Sequence, residues 1–153
     1  QHARWGKNMP SQVELLGAVQ TLQAPLRVRR VSGDEGLSQM FRYEVELSSP
    51  SWTAPFDKIV GEHMAVRLET QDGLPRYIHG YVTSVSSVDS NDAYARYLAV
   101  LEPDMWRLTL NVNSRIFPKM TALDVVLEIL KEHGIAPSDS NVFVSRGKRK
   151  VFE

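Results

Sequence analysis

The sequence predicts a mainly β protein: a small antiparallel split β-barrel followed by one α-helix that begins a second α+β domain. Three observations predict it. Short runs between Leu26 and Val112 alternate apolar with polar residues, the period of strands with one dry and one wet face. Clusters of Gly, Asp, Asn and Pro separate those runs, a spacing that suits a barrel or a sandwich. Near Pro118 the period of two gives way to the helical period. On this reading residues 1–20 are a flexible leader, 21–118 the barrel, and 119–153 the truncated start of the second domain.

The elements follow in order. Leu26 and Val28 alternate with Arg27 and Arg29, and Arg30-Val31 then slips the phase by one, as a β-bulge does. Ser32-Gly33-Asp34-Glu35-Gly36 is a turn. Phe41, Tyr43, Val45 and Leu47 alternate with Arg42, Glu44 and Glu46, the cleanest strand pattern in the chain. Pro50 and Pro55 exclude a regular strand from 48–62, where Phe56, Ile59 and Val60 anchor a helical turn ending at Gly61. Met64, Val66 and Leu68 mark the next strand, and Asp72-Gly73 a turn that Pro75 lengthens. Residues 76–88 form a long strand, with Gly80 suggesting a bend at a barrel corner. Ser90-Asn91-Asp92 turns the chain into a strand at 94–101, and Leu108, Leu110 and Val112 alternate through a sixth. Thr121 is the expected N-cap of the helix, with Asp124 three residues on; Leu123, Val126, Leu127 and Leu130 form its apolar stripe, and Gly134 and Pro137 end it. Val142-Phe143-Val144 is a further candidate strand.

Composition removes several classes of function. The 153 residues are enough for a core without staples. Eighteen basic and eighteen acidic side chains cancel, which gives no global attraction to nucleic acid or anionic lipid and no charge repulsion against self-association. Without cysteine there are no disulfides, thiolate metal sites or cysteine nucleophiles. No apolar run reaches the roughly 18 residues of a membrane span. No apolar segment follows Gln1–Lys7, so the start does not read as a signal peptide.

No catalytic, cofactor-binding or metal-ligating residues are assigned. His2, His63, His79 and His133 form no i, i+4 helical pair and no H-E-x-x-H motif, so structural roles fit them better. Asp89-Ser90-Asn91-Asp92 lacks the glycine and the final acid of a calcium loop and reads as a turn. Neither a phosphate-binding glycine pattern nor a G-x-S-x-G elbow occurs. The basic tail Arg146–Lys150 reads as a solvated face. Trp106 is expected in the core. Trp52, in the proline-flanked loop, suits either a contact anchor or a cap on the barrel.

The ordered motifs resemble the N-terminal region of the valine–glycine repeat spike proteins (VgrG) of type VI secretion, and are similar to the hubs of contractile phage tails. The residues that carry the resemblance are Phe41 and Tyr43, Gly61, His79-Gly80, Tyr94 with Arg96-Tyr97, Pro103 with Trp106, Ile116-Phe117, and Gly134. The resemblance spans about residues 20–135. It implies a structural component rather than an enzyme, in a longer parent of which this chain is expected to be a fragment. The parent would form a homotrimer that docks on the Hcp tube hexamer and meets baseplate proteins and effectors. It would assemble in the bacterial cytoplasm and be translocated through the type VI apparatus, with no nucleic acid, membrane span or cofactor involved. The rival within the class is a hub of a contractile phage tail or a phage-derived particle. Rivals from other classes are a flavin-binding split barrel, for which no phosphate cradle precedes the basic tail, and an oligonucleotide-binding barrel with Tyr77, Tyr81 and Tyr97 as stacking aromatics, which the charge balance disfavours.

Overall fold

The computed structural model describes residues 14–17, 26–50, 58–69, 73–90 and 94–135. Trp5, Trp52, Phe56, the strand expected at Val142–Val144, His2 and the basic tail lie outside the described residues. The chain divides into two compact units, Gln1–Pro103 and Asp104–Glu153.

Among the described residues the first unit forms one six-stranded antiparallel sheet: β1 (Glu14–Gly17), β2 (Arg27–Asp34), β3 (Arg42–Ser49), β4 (His63–Glu69), β5 (Pro75–Ser90) and β6 (Ala95–Glu102). The strands lie side by side in the order β1-β4-β5-β6-β3-β2. The two edge strands, β1 and β2, approach each other, so the sheet curls toward a barrel. β1 falls within the stretch read as a leader, where it pairs along β4 from Glu14↔Arg67 to Gly17↔Met64. Its four residues carry too little alternation to be seen as a strand.

In β3, β4, β5 and β6 alternation becomes burial. Tyr43, Val45 and Leu47 of β3, Met64 and Val66 of β4, and Ile78 and Val82 of β5 face one core with Ala95, Tyr97, Ala99 and Leu101 of β6. Each large apolar side chain buried there contributes about 1.5–3 kcal/mol. Ile59, at 0% exposure, seals the end of that core from the turn that precedes β4. The phase slip after Val28 is a real register shift between Val28 and Arg30 opposite β3.

β5 is long because it serves two neighbours in succession. It pairs with β4 from Pro75 to Tyr81 and with β6 from Tyr81 to Ser90. Its irregularities fall at Val82/Ser84 and Ser87/Asp89, beyond Gly80, and such bulges bend and twist a strand. Gly80 has another role. A Cβ there would lie 2.9 Å from the Glu102 carbonyl oxygen, 3.2 Å from the Phe41 ring and 3.4 Å from Leu101 Cβ. The glycine lets β6 and Phe41 close over β5.

In the second unit the strand expected through Leu108, Leu110 and Val112 is instead a 3-10 helix, Asp104–Leu110, followed by irregular chain. Pro103 fixes a backbone angle suited to starting a helical turn. Alternation becomes a strand only with a ladder and a core to face, whereas Leu110 is 63% and Val112 100% exposed. Trp106 lies in this 3-10 helix, half-buried and outside the core.

The helix α1 (Ala122–Glu132) begins as its sequence dictates. The Asp124 amide donates to Thr121 Oγ1 at 3.2 Å, and the Thr121 amide donates to the Asp124 carboxylate at 3.0 Å, a closed capping box. At the other end Ile135 N–H bonds Leu130 O at 2.9 Å and Gly134 N–H bonds Lys131 O at 3.0 Å. This is a Schellman stop, with Gly134 at φ +69° and buried Leu130 and Ile135 at the positions whose side chains meet in that motif. Among the described residues no helix is long and apolar enough to cross a membrane.

Candidate functional site

The residues expected to carry function gather in a few clusters, each built by strand pairing. The first lies where the β2–β3 turn meets the start of β5. Tyr43 O–H donates to Glu35 Oε2 at 2.5 Å, and Arg76 Nη2 donates to Glu35 Oε1 at 2.5 Å and to the Tyr43 oxygen at 3.1 Å. The phenol and guanidinium hold the Glu35 carboxyl below its ordinary range, while burial and the bond to Glu35 push the Tyr43 phenol up to about 12. The Phe41 ring packs 5.6 Å from that of Tyr43 and lies over Gly80. The β2–β3 turn and the start of β3 are thereby clasped to the start of β5, which is distant in sequence. The same end carries large apolar side chains in water: Leu37 at 99%, Leu74 at 69% and Tyr77 at 56% exposure.

The second cluster lies on the outer face of the β4–β5 ribbon. Gly61 N–H bonds Val82 O at 2.9 Å, and Val82 N–H bonds Glu62 O at 2.9 Å, so the turn ending at Gly61 continues the ladder. Next to it His63 stands opposite Tyr81, and Ala65 opposite His79. The imidazoles of His63 and His79 lie 5.2 Å apart and nearly parallel, with the Tyr81 ring edge-on to His63 at 5.6 Å.

The third cluster centres on β6. Arg96 bridges Asp89 of β5 at 2.7 Å and Glu46 of β3 at 3.5 Å, riveting three adjacent strands. Glu102 accepts a 2.7 Å bond from Thr83, the extra residue of a β5 bulge, and lies 3.4 Å from Arg42 of β3. Tyr94 is partly exposed, whereas Tyr97 is 2% exposed in the core. Tyr97 therefore does not join Tyr77 and Tyr81 on an exposed stacking face, because alternate residues of a strand point to opposite sides.

In the second unit Arg115 binds Glu132 of α1 through both nitrogens, at 2.8 and 2.5 Å, and its guanidinium lies over the Phe117 ring at 5.5 Å. Ile116, between them, is 92% exposed. Pro103 ends the sheet strand, Trp106 follows in the 3-10 helix, and Gly134 stops α1.

Most of these polar side chains are tied to one another across strands or to a helix, and such pairs fix shape. Among the described residues no buried side-chain nitrogen or oxygen lacks a partner, and no group of three or more His, Asp or Glu is placed to hold a metal ion. Sequence reading missed the partners Glu35, Arg76 and His63. Nothing local marks Glu35 for Arg76, 41 positions away. The histidine pair left a trace: folding the chain about residue 72 sets 63 across from 81 and 65 across from 79.

Residues 34–151 match the family model described as the phage tail baseplate hub (GPD). The type VI secretion system spike protein VgrG1b of Pseudomonas aeruginosa is 33% identical over 125 residues, which are 82% of this chain and 17% of that protein. A Vibrio cholerae protein, the actin cross-linking toxin VgrG1, is 33% identical over 119 residues, 72% of this chain and 11% of that protein. Among solved structures, the E. coli c3393 protein is described as a component of the type VI secretion system with structural similarity to T4 bacteriophage tail proteins gp27 and gp5. It matches 93% of this chain and 37% of its own at a TM-score of 0.77 and 26% identity. The chain thus spans less than a fifth of the length of these curated relatives.

Proposed function

Because the chain belongs to the phage tail baseplate hub family, we propose that it is the barrel portion of a type VI secretion spike, a shaped structural piece rather than a catalyst. The parent protein forms a homotrimer whose barrels sit on the Hcp tube hexamer and meet baseplate proteins and effectors. It assembles in the bacterial cytoplasm and leaves through the type VI apparatus. The hub domain is the curled sheet with β1 at one edge, and the start of the next domain follows it. The observation that carries this reading is the fold match over 93% of the chain to a type VI component.

The geometry supports a mechanical role. A spike driven by contraction needs a unit that keeps its shape under load. Here the clasp at Glu35, Tyr43 and Arg76 and the rivet at Arg96 join strands at opposite ends of the ladder. The exposed Leu37, Leu74 and Tyr77 supply apolar area of the kind that stable interfaces bury. Obligate interfaces run to about 2,000 Å² or more, and the 153-residue chain by itself is expected to trimerise weakly, which sedimentation checks.

The test is co-purification of the full-length parent with tube hexamers, repeated with Leu37→Asp and Leu74→Asp. Association that weakens with the charges supports the reading. A parent that never associates with tube hexamers refutes it.

A further inference from the structure

We propose that His63 and His79 form a two-histidine site for a divalent transition metal of the copper, nickel or zinc class, on the outer face of the β4–β5 ribbon. Both side chains are exposed, and both stand on the face opposite the core, since Met64, Val66, Ile78 and Gly80 between and beside them are buried. They are diagonal neighbours across the ladder, His63 opposite Tyr81 and His79 opposite Ala65. The methyl of Ala65 leaves the His79 ring room to lean along the ribbon toward His63, and the two rings do meet, at 5.2 Å between centres.

That separation is ordinary for stacked rings and is also compatible with a shared tetrahedral metal. An imidazole nitrogen binds zinc at about 2.0–2.1 Å and lies roughly 1.2 Å from its ring centre, so two imidazoles on one tetrahedral ion have centres about 5.2 Å apart. The rings are within 9° of parallel, and χ2 of histidine is a soft torsion through which each ring re-aims its nitrogens. β4 and β5 are held in register from His63↔Tyr81 to Glu69↔Pro75, so the two histidines stand at fixed positions on the ribbon. Tyr81, edge-on to His63 at 5.6 Å, limits how far that ring can swing away.

The donor set narrows the ion. Imidazole suits copper, nickel and zinc, whereas magnesium and calcium prefer oxygen. Two protein ligands leave positions for water, so the site is open and binds with modest affinity. Among the described residues no third His, Asp or Glu completes a set; the tetrahedral separation of the rings favours zinc, while the Irving–Williams order favours copper.

The experiment is calorimetric titration of the 153-residue chain with copper(II), nickel(II) and zinc(II) chloride in a non-chelating buffer. The same titration is run on His63→Asn, His79→Asn and, as controls, His2→Asn and His133→Asn. Proton NMR follows the ring signals, and circular dichroism confirms that each variant folds. Loss of a group that merely orients a metal ligand costs about 10–100-fold in affinity, so loss of either ligand should weaken binding at least tenfold. The expected result is one saturable site, with His63 and His79 ring signals perturbed together, weakened by either ribbon substitution and unchanged by the controls. No saturable binding of any of the three ions overturns the proposal, as does binding that survives His63→Asn and His79→Asn.

Discussion

Replacing Gly80 by alanine tests the claim that close approach, not backbone freedom, sets this position. The added methyl carbon would sit 2.9 Å from a backbone oxygen, that of Glu102, and 3.2 Å from the Phe41 ring. Real methyl carbons do not approach a backbone oxygen so closely, and the Glu102 carbonyl belongs to the last residue of a paired strand that cannot step aside. Overpacking of this kind costs about 1–3 kcal/mol. For a unit of this size each kcal/mol lowers the melting temperature by about 4–8 °C. The assay is urea unfolding at constant m-value, with Phe41→Leu as the second arm of a double-mutant cycle. Shrinking the ring should recover part of the loss, because the ring is one of the two obstacles; the carbonyl remains. Gly134→Ala is the contrast. A Cβ there meets nothing within 4 Å, and the residue sits at φ +69°, so its cost of about 1–2 kcal/mol is backbone strain alone. A Gly80→Ala protein within 0.5 kcal/mol of wild type would refute the packing argument.

Three further outcomes are expected. Tyr43→Phe should cost about 1–3 kcal/mol at neutral pH, read by denaturant midpoint, because it removes the hydrogen bond donated to Glu35 and the one accepted from Arg76. The same variant isolates two pH effects. The Tyr43 phenol is raised in the fold, so wild-type stability should fall as pH climbs from 10 toward 12, and the variant should lack that decline. Glu35 is depressed, so its contribution is present above its ordinary value of 4.5 and lost as pH drops through its lower folded value; removing the phenol should weaken that acid-side loss. Leu47→Ala, at a side chain 1% exposed in the middle of β3, should cost about 2–5 kcal/mol, and a loss below 1 kcal/mol would place it outside the core. Thr121→Ala should cost about 1 kcal/mol and speed amide exchange in the first turn of α1; unchanged exchange there would mean the capping box is idle.

Legibility tracked the range of each interaction. The bulge after Val28, the dry face of β3 and both ends of α1 are set by residues within a few positions of one another, and each was legible. The strand through Leu108–Val112 was misread because five residues of alternation carry no information about whether a neighbour exists to pair with. Tyr97, a stacking aromatic only on the disfavoured oligonucleotide-binding reading, alternates with Arg96 and Leu98 and so lies on the side of Ala95 and Ala99. β1 was missed for the opposite reason: its four residues are a strand because β4 offers an edge.

The sequence by itself determined the class of the molecule, its helix with both caps and its family, since these depend on side-chain period and on backbone angles that neighbouring residues impose; the turn expected at Ser32–Gly36 starts later, because Ser32, Gly33 and Asp34 pair with Glu44, Tyr43 and Arg42 as the end of β2. Only the tertiary structure decided the strand order, the exchange of partners along β5, the Glu35–Tyr43–Arg76 clasp and the meeting of His63 with His79. Those depend on which strand edges find each other when the sheet curls, and closing a ladder between distant segments is settled by burial of the whole core rather than by any local pattern.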